Sequence, residues 1–249
     1  MGKTFDFLLA VRERRGAAYL ALLDPDRLSR SDLVRRAEAC ADNGVDALLV
    51  GSSLLLSRDF DGAVREVKRA VDLPVIIHPG DINQVTPHAD ALLFLSMISG
   101  RNPELLIGQQ VKAAPLLKAC DLEPIPTGLI LVESGAVTTV EFVSNTKPLP
   151  RDKPDIAMAH ALAAEYLGMR CVYLEGGSGA KMSVPEEMIR AVASYVSLPL
   201  IVGGGIRTPE AAAEKVRAGA SFVVIGNALE QMRDPALIRE LADAIHTKG

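Results

Sequence analysis

Eight short apolar segments, separated by stretches with helical spacing, constrain the fold of this chain more than any other feature. The segments cover residues 17–23, 45–50, 74–78, 89–96, 126–132, 170–175, 198–203 and 221–226. A regular alternation of buried strands and helices is typical of a parallel sheet covered by helices. Eight such units are the number in a (β/α)8 barrel. We therefore predict an α/β fold of the TIM-barrel type, with an opening helix over FDFLLAVRER before the first strand.

The length and composition agree with one barrel. The chain has 249 residues, and barrels of this kind typically contain about 250. Hydrophobic residues make up 49% of the chain, but aromatic residues only 4%, and tryptophan is absent. The core must therefore consist mainly of aliphatic side chains, which suit a parallel sheet. We predict a single domain over residues 1–249.

Charge and hydropathy exclude several classes of function. The chain carries 27 basic and 31 acidic residues, a net charge of −4, so no basic field favours a nucleic acid partner. No apolar run approaches the roughly 18 residues of a transmembrane helix, and the N-terminus lacks the pattern of a secretion signal. We predict a cytoplasmic protein without a transmembrane segment.

One interval breaks the alternation. The ten residues between His78 and Ala89, PGDINQVTPH, contain two prolines and a glycine but no helical repeat of apolar residues. The segment is also shorter than the dozen residues that a helical crossover usually needs. We predict that the third barrel helix is missing or reduced to a loop. The gap would form an apolar groove in the side of the barrel, near Leu92, Phe94 and Leu95.

A second long interval, residues 133–150, follows the fifth predicted strand. Its sequence, ESGAVTTVEFVSNTKPLP, lacks a clear helical pattern. We expect a small hairpin and a mobile loop over the mouth of the barrel.

Glycine-rich segments follow the last three predicted strands. They are Gly176-Gly177-Ser178-Gly179, Gly203-Gly204-Gly205 and Gly226-Asn227. Active sites of TIM barrels lie at the carboxyl ends of the strands, and phosphate is commonly bound after strands seven and eight. Because glycine lets backbone N–H groups approach an anion closely, three such segments predict a site for a phosphate monoester. The alternative is that the glycines only permit tight turns.

Different residues follow the first two strands. Asp24 ends the first strand in the sequence LDPD, and Ser52 follows the second in VGSS. A carboxylate and a hydroxyl on adjacent strand ends, completed by water and substrate phosphates, are suitable ligands for Mg²⁺. A turn at Asp24 and a helix cap at Ser52 are the alternative roles.

The chain resembles the geranylgeranylglyceryl phosphate synthase family, and in particular the longer of its two groups. The resemblance extends from about Tyr19 to Asn227 and is carried by LLDPD, VGSS, HPGD, TKPLPRDKPD, AAEYLGMRCVYLEGGSG, VPEEMI and VGGGIR. YLEGGSG followed by VGGGIR is the most specific part, whereas GGGIR alone occurs in many phosphate-binding barrels. The chain departs mildly from the family pattern at His78 and Asp81.

The resemblance implies a Mg²⁺-dependent prenyltransferase that joins sn-glycerol 1-phosphate to geranylgeranyl diphosphate. It implies Mg²⁺ binding by Asp24 and Ser52. It implies binding of glycerol 1-phosphate by Tyr173, Leu174, Glu175, Gly176, Gly177, Ser178, Gly179, Gly204, Gly205, Gly226 and Asn227. The family forms homo-oligomers, for which Phe142 is a candidate exposed contact.

Glu175 is the candidate general base for the glycerol hydroxyl, with Tyr173 orienting that hydroxyl. The alternative is that Glu175 only binds the glycerol. His78 is a further candidate contact for the diphosphate. Two other functions stay open for the chain: another phosphate-binding barrel enzyme such as an amino-acid-pathway isomerase, or a non-catalytic phosphate-binding scaffold. Transient contact with a membrane surface is compatible with a lipid substrate.

Overall fold

A closed ring of parallel strands forms the centre of the computed structural model, which describes residues 2–230 and 235–248. Each strand pairs with the next along the chain, and β1 also pairs with β8, so the ring has no free edge. The eight strands of the described residues are β1 (Ala18–Leu23), β2 (Ala47–Val50), β3 (Val75–Ile77), β4 (Ala91–Ser96), β5 (Glu123–Leu131), β6 (Cys171–Glu175), β7 (Leu200–Gly203) and β8 (Phe222–Ile225). The predicted TIM barrel is confirmed.

Two apolar layers hold the barrel together, because successive strand residues point to opposite faces. Leu20, Leu49 and Ile201 belong to the layer inside the ring. Leu48, Leu174 and Val202 belong to the layer between the ring and the surrounding helices. The strands are buried on both faces, which explains why their sequences are continuous apolar runs.

Helices surround the barrel and connect most of the strands. They are α1 (Lys3–Arg15), α2 (Arg30–Asp42), α3 (Phe60–Ala70), α4 (Gln109–Ala119), α5 (Thr139–Ser144), α6 (Pro154–Tyr166), α7 (Glu186–Tyr195), α8 (Pro209–Ala218), α9 (Asn227–Glu230) and α10 (Ala236–Ile245). Thr208 caps the start of α8 by accepting a hydrogen bond from the Ala211 N–H, and Gly219 ends it in a left-handed conformation.

The first helix closes the amino-terminal end of the barrel. Phe5, Leu8 and Val11 on one face of α1 are buried in the inner apolar layer. The Phe5 ring meets the Phe222 ring edge-on at 6.1 Å, and the Arg170 guanidinium lies 4.2 Å from the Phe5 ring centre on another side. Because this end is filled, the open end lies at the carboxyl ends of the strands.

The helical ring has a gap after β3. Between β3 and β4 the chain forms one 3-10 turn, Ile82–Gln84, and no α-helix. Asp81 caps this turn, because its side chain accepts a hydrogen bond from the Asn83 N–H at 2.8 Å. The predicted loss of the third barrel helix is therefore confirmed.

The expected hairpin in residues 133–150 is wrong. The segment instead forms the short helix α5, and its only ladder contact in the described residues is one parallel bridge between Val132 and Leu149. Thr138 caps α5, and Asn145 ends it with a φ of 49°. The helix contains only six residues, too few for a helical repeat to be recognised in the sequence.

No helix in the described part of the chain is long and apolar enough to cross a membrane. Several large apolar side chains are nevertheless exposed near the open end of the barrel. Phe142 on α5 is 80% exposed, and Leu56 after β2 is 75% exposed.

Candidate active site

A polar cavity of about 70 Å³ lies at the carboxyl ends of the strands. It brings together most of the side chains and glycines that the sequence singled out. Of the predicted site residues, those lining it are Asp24, Ser52, Tyr173, Glu175, Gly177, Ser178, Gly204, Gly205, Gly226 and Asn227. Its two sides differ: one is formed by the exits of β6, β7 and β8, which we call the glycine pole, and the other by the exits of β1 and β2, which we call the carboxylate pole.

The glycine pole is shaped by backbone that only glycine fits. Gly204 has a φ of +82°, a region that residues with a side chain rarely occupy. A Cβ atom on Gly204 would lie 2.7 Å from the Gly177 nitrogen and 2.6 Å from a Glu175 oxygen. The exits of β6 and β7 therefore approach each other more closely than any larger residue would allow.

Asn227, at the exit of β8, connects the glycine pole to the β6 loop. Its amide oxygen accepts hydrogen bonds from the Gly179 N–H at 2.8 Å and from the Ser178 hydroxyl at 3.3 Å. The three glycine-rich exits thus meet in one concave surface at the wall of the cavity. Such a surface is suited to an anion with several oxygens, such as a phosphate monoester.

Glu175 lies at the end of β6, within the glycine pole. Its carboxylate accepts a hydrogen bond from the Gly177 N–H at 2.6 Å, and the residue is 8% exposed. Burial raises the pKa of Glu175, although the nearby Tyr173 hydroxyl and the Gly177 N–H oppose that rise. A carboxylate with a raised pKa is a stronger base, which suits proton removal from a hydroxyl.

Tyr173 lies two residues before Glu175 and points into the barrel. Burial, and secondarily the charge of Glu175, raises the pKa of Tyr173 well above its usual value, so the phenol stays protonated. Its hydroxyl has no hydrogen-bond partner of suitable geometry in the described part of the chain. Leu174, the residue between them, packs in the outer apolar layer, so only its backbone can face the mouth.

The carboxylate pole contains two oxygen ligands close together. The Ser52 hydroxyl lies 3.3 Å from a carboxylate oxygen of Asp24, and the Arg27 guanidinium lies 3.3 Å from the same oxygen. The other Asp24 oxygen accepts a hydrogen bond from the Asp26 N–H at 2.9 Å. Burial raises the pKa of Asp24, opposed by that N–H and by Arg27.

This donor set fits Mg²⁺ in one of its usual binding modes. The described residues contain no cluster of three or more His, Cys, Asp or Glu side chains that would form a metal site by themselves. Mg²⁺ commonly takes only one or two protein oxygens and completes its shell with water and substrate phosphates. Asp24 and Ser52, side by side at the cavity wall, supply such a pair.

A larger, mainly apolar cavity of about 290 Å³ adjoins the polar one. Ile82 and Val85, from the segment that replaces the third helix, form part of its wall, with Leu105 and Ala113 on the opposite side. Leu92, Phe94 and Leu95, which the sequence placed near a groove, also line it. The missing helix thus leaves an apolar groove in the side of the barrel.

His78 stands where the two cavities meet, because it lines both of them. Its ring meets the Tyr173 ring edge-on at 5.7 Å, and its Nε2 atom has no hydrogen-bond partner in the described residues. Burial lowers the pKa of His78 to about 4, so the imidazole is neutral at pH 7. The sequence made His78 a candidate contact for the diphosphate, and that role stays a prediction.

Two polar residues at the mouth were not singled out from the sequence. Arg207 lines the polar cavity and donates hydrogen bonds to the Ala180 carbonyl at 2.5 Å and the Lys181 carbonyl at 3.3 Å. Gln84 is fully buried and hydrogen-bonded to the Ser52 backbone. Arg207 follows the glycines at the β7 exit after one residue, Ile206, and this position could have identified it. A glutamine within a loop gives no such signal.

A polar mouth with a glycine cradle, a buried carboxylate and an adjoining apolar groove defines an enzyme of the phosphate-binding (β/α)8-barrel class. Comparison with known proteins narrows this class. The chain belongs to the PcrB family, whose model matches residues 9–245.

Two curated relatives with the same name match most of this chain. A protein of Chitinophaga pinensis named geranylgeranylglyceryl phosphate synthase is 48% identical over 229 residues, covering 92% of this chain and 90% of its own. A protein of the same name from Korarchaeum cryptofilum is 40% identical over 236 residues, covering 94% of this chain and 97% of its own. The resemblance inferred from sequence motifs is confirmed.

Solved structures agree with the relatives. The crystal structure of (S)-3-O-geranylgeranylglyceryl phosphate synthase from Thermoplasma acidophilum, in complex with the substrate sn-glycerol-1-phosphate, matches with a TM-score of 0.93. It is 36% identical and covers 99% of both chains. A tryptophan synthase structure from Mycobacterium tuberculosis, at 17% identity and a TM-score of 0.64, shares the fold alone.

Proposed function

We propose that this protein is a prenyltransferase that joins the C3 hydroxyl of sn-glycerol 1-phosphate to C1 of geranylgeranyl diphosphate. The products are geranylgeranylglyceryl phosphate, the first ether-linked precursor of archaeal-type lipids, and free diphosphate. The observation that carries this proposal is the junction of a polar mouth with an apolar groove at His78, Leu129 and Val140, which line both cavities. An amphipathic substrate can span such a junction.

Glycerol 1-phosphate is assigned to the glycine pole. Backbone N–H groups around Gly204, Gly205 and Gly226 would bind the phosphate, supported by Ser178 and Asn227. Gly177, whose N–H donates to Glu175, would shape the loop beside them. Gly176 and Gly179 in the loop after β6, and the backbone of Leu174 within β6, would stand behind these residues, since none of the three lines the cavity itself. The Thermoplasma acidophilum structure, which covers 99% of this chain and contains sn-glycerol-1-phosphate, supports glycerol 1-phosphate as the substrate.

The prenyl diphosphate is assigned to the carboxylate pole and the groove. Asp24 and Ser52 would hold Mg²⁺, which when bound supplies positive charge for the leaving diphosphate. The tail would extend into the groove left by the missing helix. Burial of a CH₂ group contributes about 0.8 kcal/mol, so a twenty-carbon tail gains on the order of 15 kcal/mol before entropic costs.

The transfer step requires one proton acceptor. The oxygen of the C3 hydroxyl attacks C1 of the prenyl chain and forms the ether bond, while the C1–O bond to diphosphate breaks and its electron pair leaves with the diphosphate. The hydroxyl proton passes to Glu175, whose buried carboxylate has a raised pKa. Tyr173 would orient the hydroxyl, and the apolar walls limit the access of water to the developing allylic cation.

The same proposal covers the organisation of the whole chain. Residues 1–249 would act as one prenyltransferase domain in the cytoplasm. Copies of the chain would assemble into a homo-oligomer, with the exposed Phe142 as a contact. Leu54 and Val143 line the groove and are also exposed, 52% and 44% respectively, which suits transient contact with the membrane that holds the lipid substrate.

Incubation with radiolabelled sn-glycerol 1-phosphate and geranylgeranyl diphosphate, with and without Mg²⁺, tests the function. We expect label in an organic-extractable product only when the diphosphate and Mg²⁺ are both present. An isomerase or a binding scaffold would yield no lipid-soluble label under any of these conditions.

A further inference from the structure

A buried glutamine lies in the turn that replaces the third barrel helix. Gln84 is 0% exposed, and both ends of its side-chain amide contact the backbone of Ser52. The Ser52 N–H donates to Oε1 at 3.0 Å, and Nε2 donates to the Ser52 carbonyl at 2.8 Å. We propose that Gln84 is a positioning residue for the carboxylate pole: it fixes the Ser52 backbone so that the hydroxyl stays beside Asp24 for binding of the prenyl diphosphate.

Ser52 needs such a partner because it lies beyond the sheet. Strand β2 ends at Val50, whose carbonyl accepts the His78 N–H at 2.9 Å. The next residue, Gly51, donates to the Leu23 carbonyl at 3.3 Å. Neither neighbouring strand offers a backbone partner to Ser52, so the Gln84 amide supplies both the acceptor and the donor that a strand would have supplied.

Two glycines beside the contact between Gln84 and Ser52 have no room for a side chain. A Cβ atom on Gly51 would lie 1.9 Å from the His78 carbonyl oxygen. A Cβ atom on Gly80 would lie 2.3 Å from the Ser52 carbonyl oxygen and 3.0 Å from the Gln84 amide nitrogen. The exits of β2 and β3 thus pack backbone against backbone, with the glutamine amide between them, which fixes Ser52 in one conformation.

The turn that carries Gln84 is itself attached on both sides. The Ile82 N–H donates to the Gln109 side chain on α4 at 3.1 Å. The Thr86 hydroxyl donates to the carboxylate of Asp61 on α3 at 2.5 Å. The residues on either side of Gln84 in this segment have a different task, since Ile82 and Val85 line the apolar groove. One short segment therefore forms the groove wall and supports the polar pole.

This inference rests on the proposed function, since it assigns Gln84 to the binding of the diphosphate. It predicts a selective effect: loss of the amide should weaken the binding of prenyl diphosphate and Mg²⁺ but leave the glycine pole intact. In the described residues both side-chain hydrogen bonds of Gln84 go to Ser52, and its backbone N–H donates to the Asp81 carbonyl, so none reaches the exits of β6, β7 or β8. A purely structural role would instead lower stability and affect both substrates alike.

The test compares Gln84→Met with Asn83→Ala. Methionine has a similar length but no amide, and Asn83 is an exposed neighbour on the same turn. Calorimetry with geranylgeranyl diphosphate, at several Mg²⁺ concentrations and without glycerol 1-phosphate, measures binding directly. Steady-state kinetics then gives the KM for each substrate, and thermal melting confirms that each variant is folded.

We expect Gln84→Met to bind geranylgeranyl diphosphate about tenfold more weakly, because two buried backbone groups lose their partners. It should also require more Mg²⁺, while its KM for glycerol 1-phosphate stays within about twofold of the unaltered chain. Asn83→Ala should change neither. Equal losses for both substrates, or no change in diphosphate affinity, would overturn the role of Gln84.

If Gln84→Met does not fold, Gln84→Glu provides a second test of the same role. Gln84→Glu preserves the shape and one acceptor for the Ser52 N–H but places an oxygen against the Ser52 carbonyl, so the same selective loss is expected. A double variant, Gln84→Met with Ser52→Ala, should show a smaller loss than the sum of the single losses. Additive losses would contradict action through Ser52.

The two proposals can fail separately. If the unaltered chain transfers no label from glycerol 1-phosphate into lipid, the proposed function is contradicted. If it does so, and Gln84→Met binds the diphosphate normally, only the role of Gln84 is contradicted.

Discussion

The two poles of the mouth are built from different parts of the chain. The glycine pole is built from backbone, with Gly204 and Gly205 in left-handed conformations and Asn227 holding the β6 loop. The carboxylate pole is built from side chains. The Ser52 hydroxyl lies beside the Asp24 carboxylate, and the Gln84 side chain accepts a hydrogen bond from the Ser52 N–H. A phosphate that stays on its substrate needs only fixed donors. A diphosphate that leaves gains charge during the reaction, and a metal held by oxygen ligands can neutralise it.

The largest effect is expected in the glycine pole, at Glu175. Glu175→Gln preserves the shape of the side chain but removes the proton acceptor. We predict that kcat falls by about 10²–10⁴-fold, the usual contribution of a general base, while the KM for glycerol 1-phosphate changes little. Steady-state kinetics with both substrates measures this. Near-normal turnover with an unchanged KM would show that Glu175 only binds the glycerol.

The carboxylate pole is tested by Asp24→Ala. We expect half-maximal activity to need about 10–100-fold more Mg²⁺, because the variant loses its anionic metal ligand. The KM for geranylgeranyl diphosphate should also rise. A titration of activity against Mg²⁺ concentration measures the shift. Asp72→Ala, which removes an exposed carboxylate between α3 and β3, is the matched control and should behave like the unaltered chain.

The groove is tested by shortening the substrate. Replacing the twenty-carbon tail by a fifteen-carbon tail removes five carbons, a difference of at most about 4 kcal/mol at 0.8 kcal/mol per carbon. Because part of this is offset by the entropy of the longer tail, we predict that the KM rises about tenfold. A series of prenyl diphosphates of increasing length measures it. A KM independent of length would place the tail outside the groove.

The glycine pole is tested by Gly204→Ala. The new Cβ would lie 2.7 Å from the Gly177 nitrogen, so the cradle must widen. We predict about a tenfold higher KM for glycerol 1-phosphate and a loss of about 1–3 kcal/mol in the free energy of unfolding. Gly168→Ala is the control, since Gly168 has a φ of +77° but no atom within 4 Å of its Cβ position. That variant should lose stability without a change in KM.

The smallest effect is expected from pH. Glu175 must be ionised to accept a proton, and burial raises its pKa above the ordinary value of 4.5. The rate should therefore be full above that raised pKa and decrease as the pH falls through it. In Glu175→Gln the residual rate should lose this decrease, while the titration of Asp24 and of His78, whose pKa is lowered to about 4, is retained. An unchanged acidic limb would assign the decrease to another group.

The sequence was sufficient for the features that depend on local pattern. The strands are continuous apolar runs because both of their faces are buried, and the third helix is absent where prolines leave no helical repeat. The glycine-rich exits meet because parallel strands end at the same side of the barrel. These relations follow from periodicity and topology alone.

Other features depend on contacts between distant residues and could not be predicted. Helix α5 was missed for another reason: its cap at Thr138 is a local contact, but six residues are too few to show a helical repeat. Gln84 reaches Ser52 across 32 positions of sequence, a pairing that no local pattern indicates. The outward orientation of Leu174 follows from strand alternation, but which face it takes depends on the register of β6 with its neighbours.

The central claim is that the two poles bind different substrates independently. It is tested most directly by measuring both KM values in both Asp24→Ala and Gly204→Ala. We predict that Asp24→Ala raises the KM for geranylgeranyl diphosphate but not the KM for glycerol 1-phosphate. Gly204→Ala should raise the KM for glycerol 1-phosphate but not the KM for geranylgeranyl diphosphate. If both variants raise both KM values by the same factor, the division of the mouth into two poles is contradicted.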